Sequence, residues 1–109
     1  MTTYRKGDVL LVAFPFVDEG NSKRRPAIVV ADTGDQDVLL ARVTTQKSRD
    51  KFDLELADWK SAGLLASSVV RLNKLATINK SLVQRKLGRL SDADRIQAAS
   101  LLDVLCGGW

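Results

Sequence analysis

Three short stretches of this 109-residue chain concentrate side chains that could bind or cleave a phosphate ester. The first is Lys23-Arg24-Arg25, which places three cations at the end of a predicted loop. Pro26 follows and fixes the backbone φ angle beside them. A guanidinium group can bind a phosphate through two parallel hydrogen bonds. The same residues would also suit a solvated loop, and the tripeptide alone favours that interpretation.

The second stretch joins hydroxyl, amide and cationic groups where a predicted strand ends. It runs from Val43 through Thr44, Thr45, Gln46, Lys47 and Ser48 to Arg49. Strand ends that open into loops are common places for functional sites. Threonine is also a good strand residue, so Thr44 and Thr45 taken alone are more often structural.

The third stretch is Arg85-Lys86-Leu87-Gly88-Arg89. Its cations could follow a nucleic acid backbone. They could also form the solvated face of a strand, and from the residues alone this second interpretation weighs more.

The composition excludes several kinds of site. The chain has no histidine, which excludes a histidine-pair nuclease, a Ser-His hydrolase and an ordinary histidine-ligated metal site. The one cysteine, Cys106, can form neither an internal disulfide nor a zinc site. No carboxylates cluster at metal-ligand spacing. We therefore expect neither a metal nor another cofactor.

The net charge of the chain indicates what kind of partner it could bind. Lys and Arg total 17 against 13 Asp and Glu, a net charge of +4. This excess favours a polyanionic partner such as RNA, and an ordinary basic surface explains it equally well. No apolar run approaches the roughly 20 residues of a membrane helix. Residues 1–6 lack the apolar stretch of a signal peptide, so we expect a cytoplasmic protein without membrane contact.

The pattern of apolar residues predicts a single domain over residues 1–109 that is mostly β. Strands are expected at 8–14, 27–31, 37–45, 52–56, 68–72 and 82–87, with a loop at 15–25 and a short helical turn at 57–63. The run at 8–14 is apolar at successive positions, as in a strand buried on both faces.

One helix is predicted after Ser91, whose hydroxyl can cap the first turn. Ala98, Leu101, Leu102 and Leu105 recur at helical spacing and form a core-facing stripe. Gly107 and Gly108 then end the helix. Several short strands and one terminal helix predict a small, partly open barrel that the helix closes.

The order of these segments resembles the MazF/PemK family of toxins from type II toxin–antitoxin systems. The matching stretches are residues 7–14, 25–30 and 43–46. Residues 62–64, 68–70 and 86–90 resemble the PemK-type branch. The resemblance covers nearly the whole chain and depends on the order and spacing of the stretches more than on any single motif.

This resemblance implies an SH3-like barrel, a homodimer and an endoribonuclease of the mRNA interferase type. The enzyme would cleave single-stranded RNA at selected sequences without a metal ion. The family's catalytic arginine and threonine correspond to Arg25 and Thr44. The loop at 18–24 is shorter and more basic than in many relatives, so no role is assigned to Glu19.

The attacking group in such a reaction can be the 2′-hydroxyl of the RNA itself, which suits a chain without histidine. The products would then be a 2′,3′-cyclic phosphate and a 5′-hydroxyl. Further RNA contacts are expected from the neighbouring polar residues, namely Lys23, Arg24, Thr45, Gln46, Lys47 and Arg49. A cognate antitoxin is expected to lay an acidic, flexible segment into the same basic groove, and the pair to bind DNA.

Two other functions fit parts of the sequence. A non-catalytic nucleic-acid-binding barrel would use the same cations for phosphate contacts. It would have only six aromatic residues from which to draw base-stacking groups, which is few. A toxin of related fold that poisons DNA gyrase would bind protein instead, and Trp109 would serve it as an exposed anchor. The pattern at Arg25 and Thr44 favours the ribonuclease.

Overall fold

The computed structural model describes residues 2–14 and 23–109, with Lys23 described by its backbone alone. Within these residues, six strands and one α-helix follow each other: β1 (Asp8–Phe14), β2 (Lys23–Ala31), β3 (Asp37–Thr44), β4 (Asp53–Glu55), β5 (Val69–Asn79), β6 (Val83–Arg89) and α1 (Asp92–Cys106). A 3-10 helix at Lys80–Leu82 connects β5 to β6. The mostly β fold with a terminal helix is therefore confirmed. Most of the predicted loop at 15–25, including Glu19, lies outside the described residues.

The strands form one antiparallel sheet in the order β4-β5-β3-β2-β1-β6. β4 and β6 lie at its two edges, so the predicted barrel is open and not closed. β1 lies between β2, the next strand along the chain, and β6, the last one.

Both faces of the sheet carry a core, because β1 sends successive apolar side chains to opposite sides. One core contains Val9 and Ile28 and packs against the helix through Ala98. The other contains Leu10 and Leu40 on the opposite face. Burial on both faces explains why β1 is a continuous apolar run and does not alternate.

Two strands differ from their predicted bounds by more than two residues at one end. β2 begins at Lys23, so Arg25 and Pro26 lie inside a strand and do not precede it. β5 continues to Asn79, past the predicted end at residue 72. The polar residues 73–74 hide this continuation, because they lie in a bulge between the pairs Arg42–Arg71 and Ala41–Leu75 and so break the alternation.

The helix is held to the rest of the molecule by a buried carboxylate. Ser91 caps it as predicted, accepting a hydrogen bond from the Asp94 N–H at 3.2 Å. The Asp94 carboxylate, 2% exposed, accepts from the N–H groups of Ala57 (3.0 Å) and Asp58 (2.9 Å). These bonds fix the turn at 57–63 against α1. None of the helices within residues 2–14 and 23–109 is long and apolar enough to cross a membrane.

The same turn covers the edge strand β6. A Cβ on Gly63 would overlap the carbonyl oxygen of Leu87, and a Cβ on Gly88 would overlap that of Ala62. Two backbones therefore cross in direct contact, and both residues at the crossing must be glycine. Gly63 also has a φ of 89°, a conformation that glycine adopts without strain.

Candidate active site

Strand register brings the two predicted catalytic residues together. Arg42 and Thr44 are two residues apart on β3, so their side chains leave the same face of the sheet. Ala27 of β2 pairs with Arg42. Continuing this register by two residues brings Arg25 opposite Thr44.

A cleft of about 230 Å³ opens at this point of the sheet. It is lined by Arg25, Arg42, Val43, Thr44, Gln46, Arg71 and Lys74. Of the eight residues predicted from the sequence as catalytic or RNA-binding, the cleft thus contains Arg25, Thr44 and Gln46. The cleft lies on the same face of the sheet as the core that contains Ala27 and Leu40, next to these two residues.

The cleft is strongly positive. Of the described residues that line it, four are cations and none is acidic. Among the described residues, none of these four cations lies within 4.0 Å of a carboxylate oxygen. An anion entering the cleft would therefore meet several guanidinium and ammonium groups whose charge no described acid neutralises.

The Thr44 hydroxyl is oriented by the backbone that follows it. Its oxygen accepts a hydrogen bond from the Gln46 N–H at 3.1 Å. A hydroxyl has one hydrogen to donate and can also accept. With the Gln46 N–H bound to its oxygen, Thr44 keeps its hydrogen for a phosphate oxygen in the cleft.

The side chain of Gln46 is fixed by two guanidinium groups. Its carbonyl oxygen accepts from Nη2 of Arg49 at 2.9 Å and from Nη2 of Arg71 at 3.1 Å. The loop after β3 is tied to β5 a second time, where the Asn73 amide donates to Asp50 at 3.2 Å. Arg49 is thus placed to act on the cleft through Gln46.

The remaining predicted residues lie elsewhere. Thr45 lines an apolar cavity of about 340 Å³ together with Pro26 and Leu64. Arg24 pairs with Ala13 and alternates with Arg25, so its side chain leaves the opposite face of β2. Lys47 is exposed on the loop after β3. The side chain of Lys23 lies outside the described residues.

Sequence reasoning missed three cleft residues: Arg42, Arg71 and Lys74. Arg42 could have been found, because it lies two residues before Thr44 in a predicted strand and so shares its face. Arg71 and Lys74 reach the cleft only through the pairing of β3 with β5 and through the bulge in β5. Local sequence patterns do not reveal either feature.

The third basic stretch has a structural role that the sequence did not predict. The buried Asp8 carboxylate lies 3.2 Å from Nζ of Lys86 and 3.7 Å from Nη1 of Arg89. These two cations stabilise a buried charge and are more than a solvated strand face. Within the described part of the chain, no three His, Cys, Asp or Glu residues are grouped so that they could hold a metal ion.

Comparison with known proteins gives one family. A family model described as PemK-like, MazF-like toxin of type II toxin–antitoxin systems matches residues 5–105. A search of curated proteins found no significant match.

Several solved structures share the fold. An endoribonuclease from a mycobacterial species has a TM-score of 0.78 and 17% identity, covering 100% of this chain and 97% of the other. A mycobacterial endoribonuclease in complex with its cognate antitoxin has a TM-score of 0.76 and 16% identity, covering 95% and 96%. A MazE–MazF structure from Deinococcus radiodurans has a TM-score of 0.75 and 17% identity, covering both chains fully at 100%.

Proposed function

Because the chain belongs to the family of PemK-like, MazF-like toxins of type II toxin–antitoxin systems, we propose that it is an endoribonuclease that cleaves single-stranded RNA, including mRNA. The observation that carries this proposal is the cleft in which Arg25 and Thr44 lie among cations, with no acid among the described lining residues. Two of the proteins with the same fold are endoribonucleases, which supports it further.

The reaction that suits this cleft needs no nucleophile from the protein. The 2′-oxygen of the RNA attacks the adjacent phosphorus, and the bond from phosphorus to the 5′-oxygen breaks. The 2′-hydroxyl proton passes to water, and the leaving 5′-oxygen takes a proton from water. The products are a 2′,3′-cyclic phosphate and a 5′-hydroxyl.

Each of the two central residues then has one task. A guanidinium group is always protonated in proteins, so Arg25 stabilises the charge that develops on the phosphate and does not supply a proton. The Thr44 hydroxyl donates to a phosphate oxygen and holds the group in line for attack. The hydrogen bond from the Gln46 N–H to Thr44 sets the direction of that donation.

Substitution at these two positions tests the assignment. We expect Arg25→Ala and Thr44→Val each to lower the rate of RNA cleavage by about 10²–10³. The matched controls are Arg5→Ala and Thr77→Val, exposed residues outside the cleft, which should leave the rate unchanged. Full activity of either cleft variant, with a wild-type circular dichroism spectrum, would remove that residue from the mechanism.

The products and the metal requirement test the reaction type. Cleavage of a long RNA should continue in excess EDTA and should leave fragments with 5′-hydroxyl ends, which a polynucleotide kinase labels directly. Dependence on Mg²⁺ or fragments with 5′-phosphate ends would contradict the mechanism. Binding of RNA without cleavage would favour the non-catalytic barrel, and inhibition of gyrase without RNA cleavage would favour the gyrase toxin.

The proposal includes partners. The cationic cleft suits an acidic segment of a cognate antitoxin, which would compete there with RNA for the same charges. One protein of the same fold was solved with its cognate antitoxin, which supports such a partner. We further propose that the toxin acts in the cytoplasm as a homodimer and binds DNA together with its antitoxin.

A further inference from the structure

Two arginines face each other in the candidate active site. Arg42 of β3 pairs directly with Arg71 of β5. Side chains directly opposite on antiparallel strands have Cβ atoms about 4.5–5.5 Å apart, and like charges in such a pair destabilise the sheet. The contact between these like charges does not itself stabilise the sheet.

No described acid forms an ion pair with either arginine. Asp53 of β4 is the other cross-strand neighbour of Arg71. Its Oδ2 accepts from the Arg49 N–H at 2.7 Å, and its Oδ1 is buried without a hydrogen-bond partner among the described residues. Within residues 2–14 and 23–109, neither Arg42 nor Arg71 lies within 4.0 Å of any carboxylate oxygen.

Arg71 is nevertheless held in place. It donates to the neutral carbonyl oxygen of Gln46 at 3.1 Å, which also accepts from Arg49. This contact orients the guanidinium without cancelling its charge. Arg42 is exposed at the side of the cleft and completes the pair.

The pair is separate from the catalytic residues and close to them. Two residues along a strand span about 7 Å, which is the distance along β3 from Thr44 to Arg42. The two pairs therefore leave the sheet at different levels of the cleft. Both positions open into one cleft, so one nucleic acid strand can reach both.

We propose that Arg42 and Arg71 form a second anion subsite, which binds a phosphate of the RNA strand next to the one that is cleaved. This inference rests on the proposed ribonuclease function and deepens it. The substrate would need a charged phosphate beside the scissile linkage. Since this contact exists before and during the reaction, it would contribute to KM and not to kcat.

Arg42→Gln is the suitable variant, because no described hydrogen bond or ion pair of Arg42 is lost. Lys60→Gln, the same change at an exposed residue outside the cleft, is the matched control. A cleavage site would first be mapped on a long RNA. Short RNAs with that site would then carry an uncharged methylphosphonate at one flanking linkage at a time.

For the wild type, we expect one flanking methylphosphonate to raise KM about tenfold, the effect of one charge-assisted hydrogen bond. Arg42→Gln should show the same rise on the unmodified RNA and no further rise on that methylphosphonate RNA. The control should behave as the wild type. The subsite would be refuted if the variant and the methylphosphonate each raised KM independently of the other. It would also be refuted if a methylphosphonate at no flanking linkage raised KM.

A binding measurement separates this inference from the proposed function. An oligodeoxynucleotide lacks the 2′-hydroxyl and cannot be cleaved, so its affinity can be followed against salt concentration. The slope of log K against log salt should fall by about 0.7 in Arg42→Gln and stay unchanged in Lys60→Gln. A wild type that cleaves no RNA would refute the ribonuclease alone, whereas an unchanged slope in Arg42→Gln would refute the subsite.

Discussion

Asp32 shows how a single carboxylate can hold distant parts of the chain together. It accepts hydrogen bonds from the N–H groups of Tyr4 at 2.7 Å and Gly34 at 2.8 Å. Nζ of Lys80 lies 2.9 Å from the same group. The backbone N–H groups, and then Lys80, lower the pKa of Asp32 from 3.8 to about 2.

This shift predicts how stability depends on pH. Because the unfolded chain takes up the Asp32 proton at higher pH than the folded protein, the contribution of Asp32 is complete above pH 3.8 and is lost as the pH falls to about 2. Asp32→Asn should therefore be less stable than the wild type at neutral pH. Urea unfolding should show the two free energies converging below pH 4. A difference that stays constant from pH 7 to pH 2 would contradict the assignment.

At the scale of elements, the contact between α1 and the turn at 57–63 depends on Asp94. Asp94→Ala removes two hydrogen bonds to a charged group and leaves two backbone N–H groups unpaired, so the free energy of unfolding should fall by about 3 kcal/mol. Asp103→Ala on the exposed side of the same helix should change it by less than about 0.5 kcal/mol. Equal urea midpoints for the two variants would show that the hydrogen bonds of Asp94 to the turn do not stabilise the folded protein.

The elements also show what the sequence can and cannot predict. The apolar run of β1 and the cap at Ser91 are local signals, and both elements were predicted within a residue. β5 was predicted too short, because its bulge places Asn73 and Lys74 where an alternating pattern would continue. The position of a bulge and the pairing of distant strands depend on contacts across the whole sheet. A short stretch of sequence therefore does not predict them.

The same limit applies to the candidate site. Arg25, Thr44 and Gln46 were found because they lie close to one predicted strand end or match the family's pattern. Thr45 follows Thr44 directly, yet it lines the apolar cavity and not the cleft, because β3 ends between the two residues. Arg71 could not be assigned, since its place beside Arg42 depends on which strands pair.

At the scale of the whole molecule, several apolar side chains remain in contact with water. Ile96 and Val104 on α1 are 63% and 65% exposed, and Leu65 is 98% exposed. Leu65 lies at the rim of the apolar cavity that also contains Leu11 and Leu64. A domain of this size cannot bury all of its apolar surface alone.

We therefore expect a two-fold homodimer in solution. Light scattering at micromolar concentration should give twice the 12.0 kDa of one chain. Leu65→Lys would place a charge on the apolar rim and should shift the equilibrium toward the monomer, whereas Lys60→Gln should not. A wild type that scatters as a single chain at these concentrations would rule out the dimer.

The pairing of β1 with the distant strand β6 has a consequence for synthesis of the protein. β1 is translated well before β6, one of its two partners in the sheet. Arg71 likewise follows Arg25 and Thr44 by many codons. At roughly 5–20 residues per second, the nascent chain spends seconds with neither its sheet nor its cleft assembled. The candidate active site can therefore form only after β5, which carries Arg71, has been synthesised.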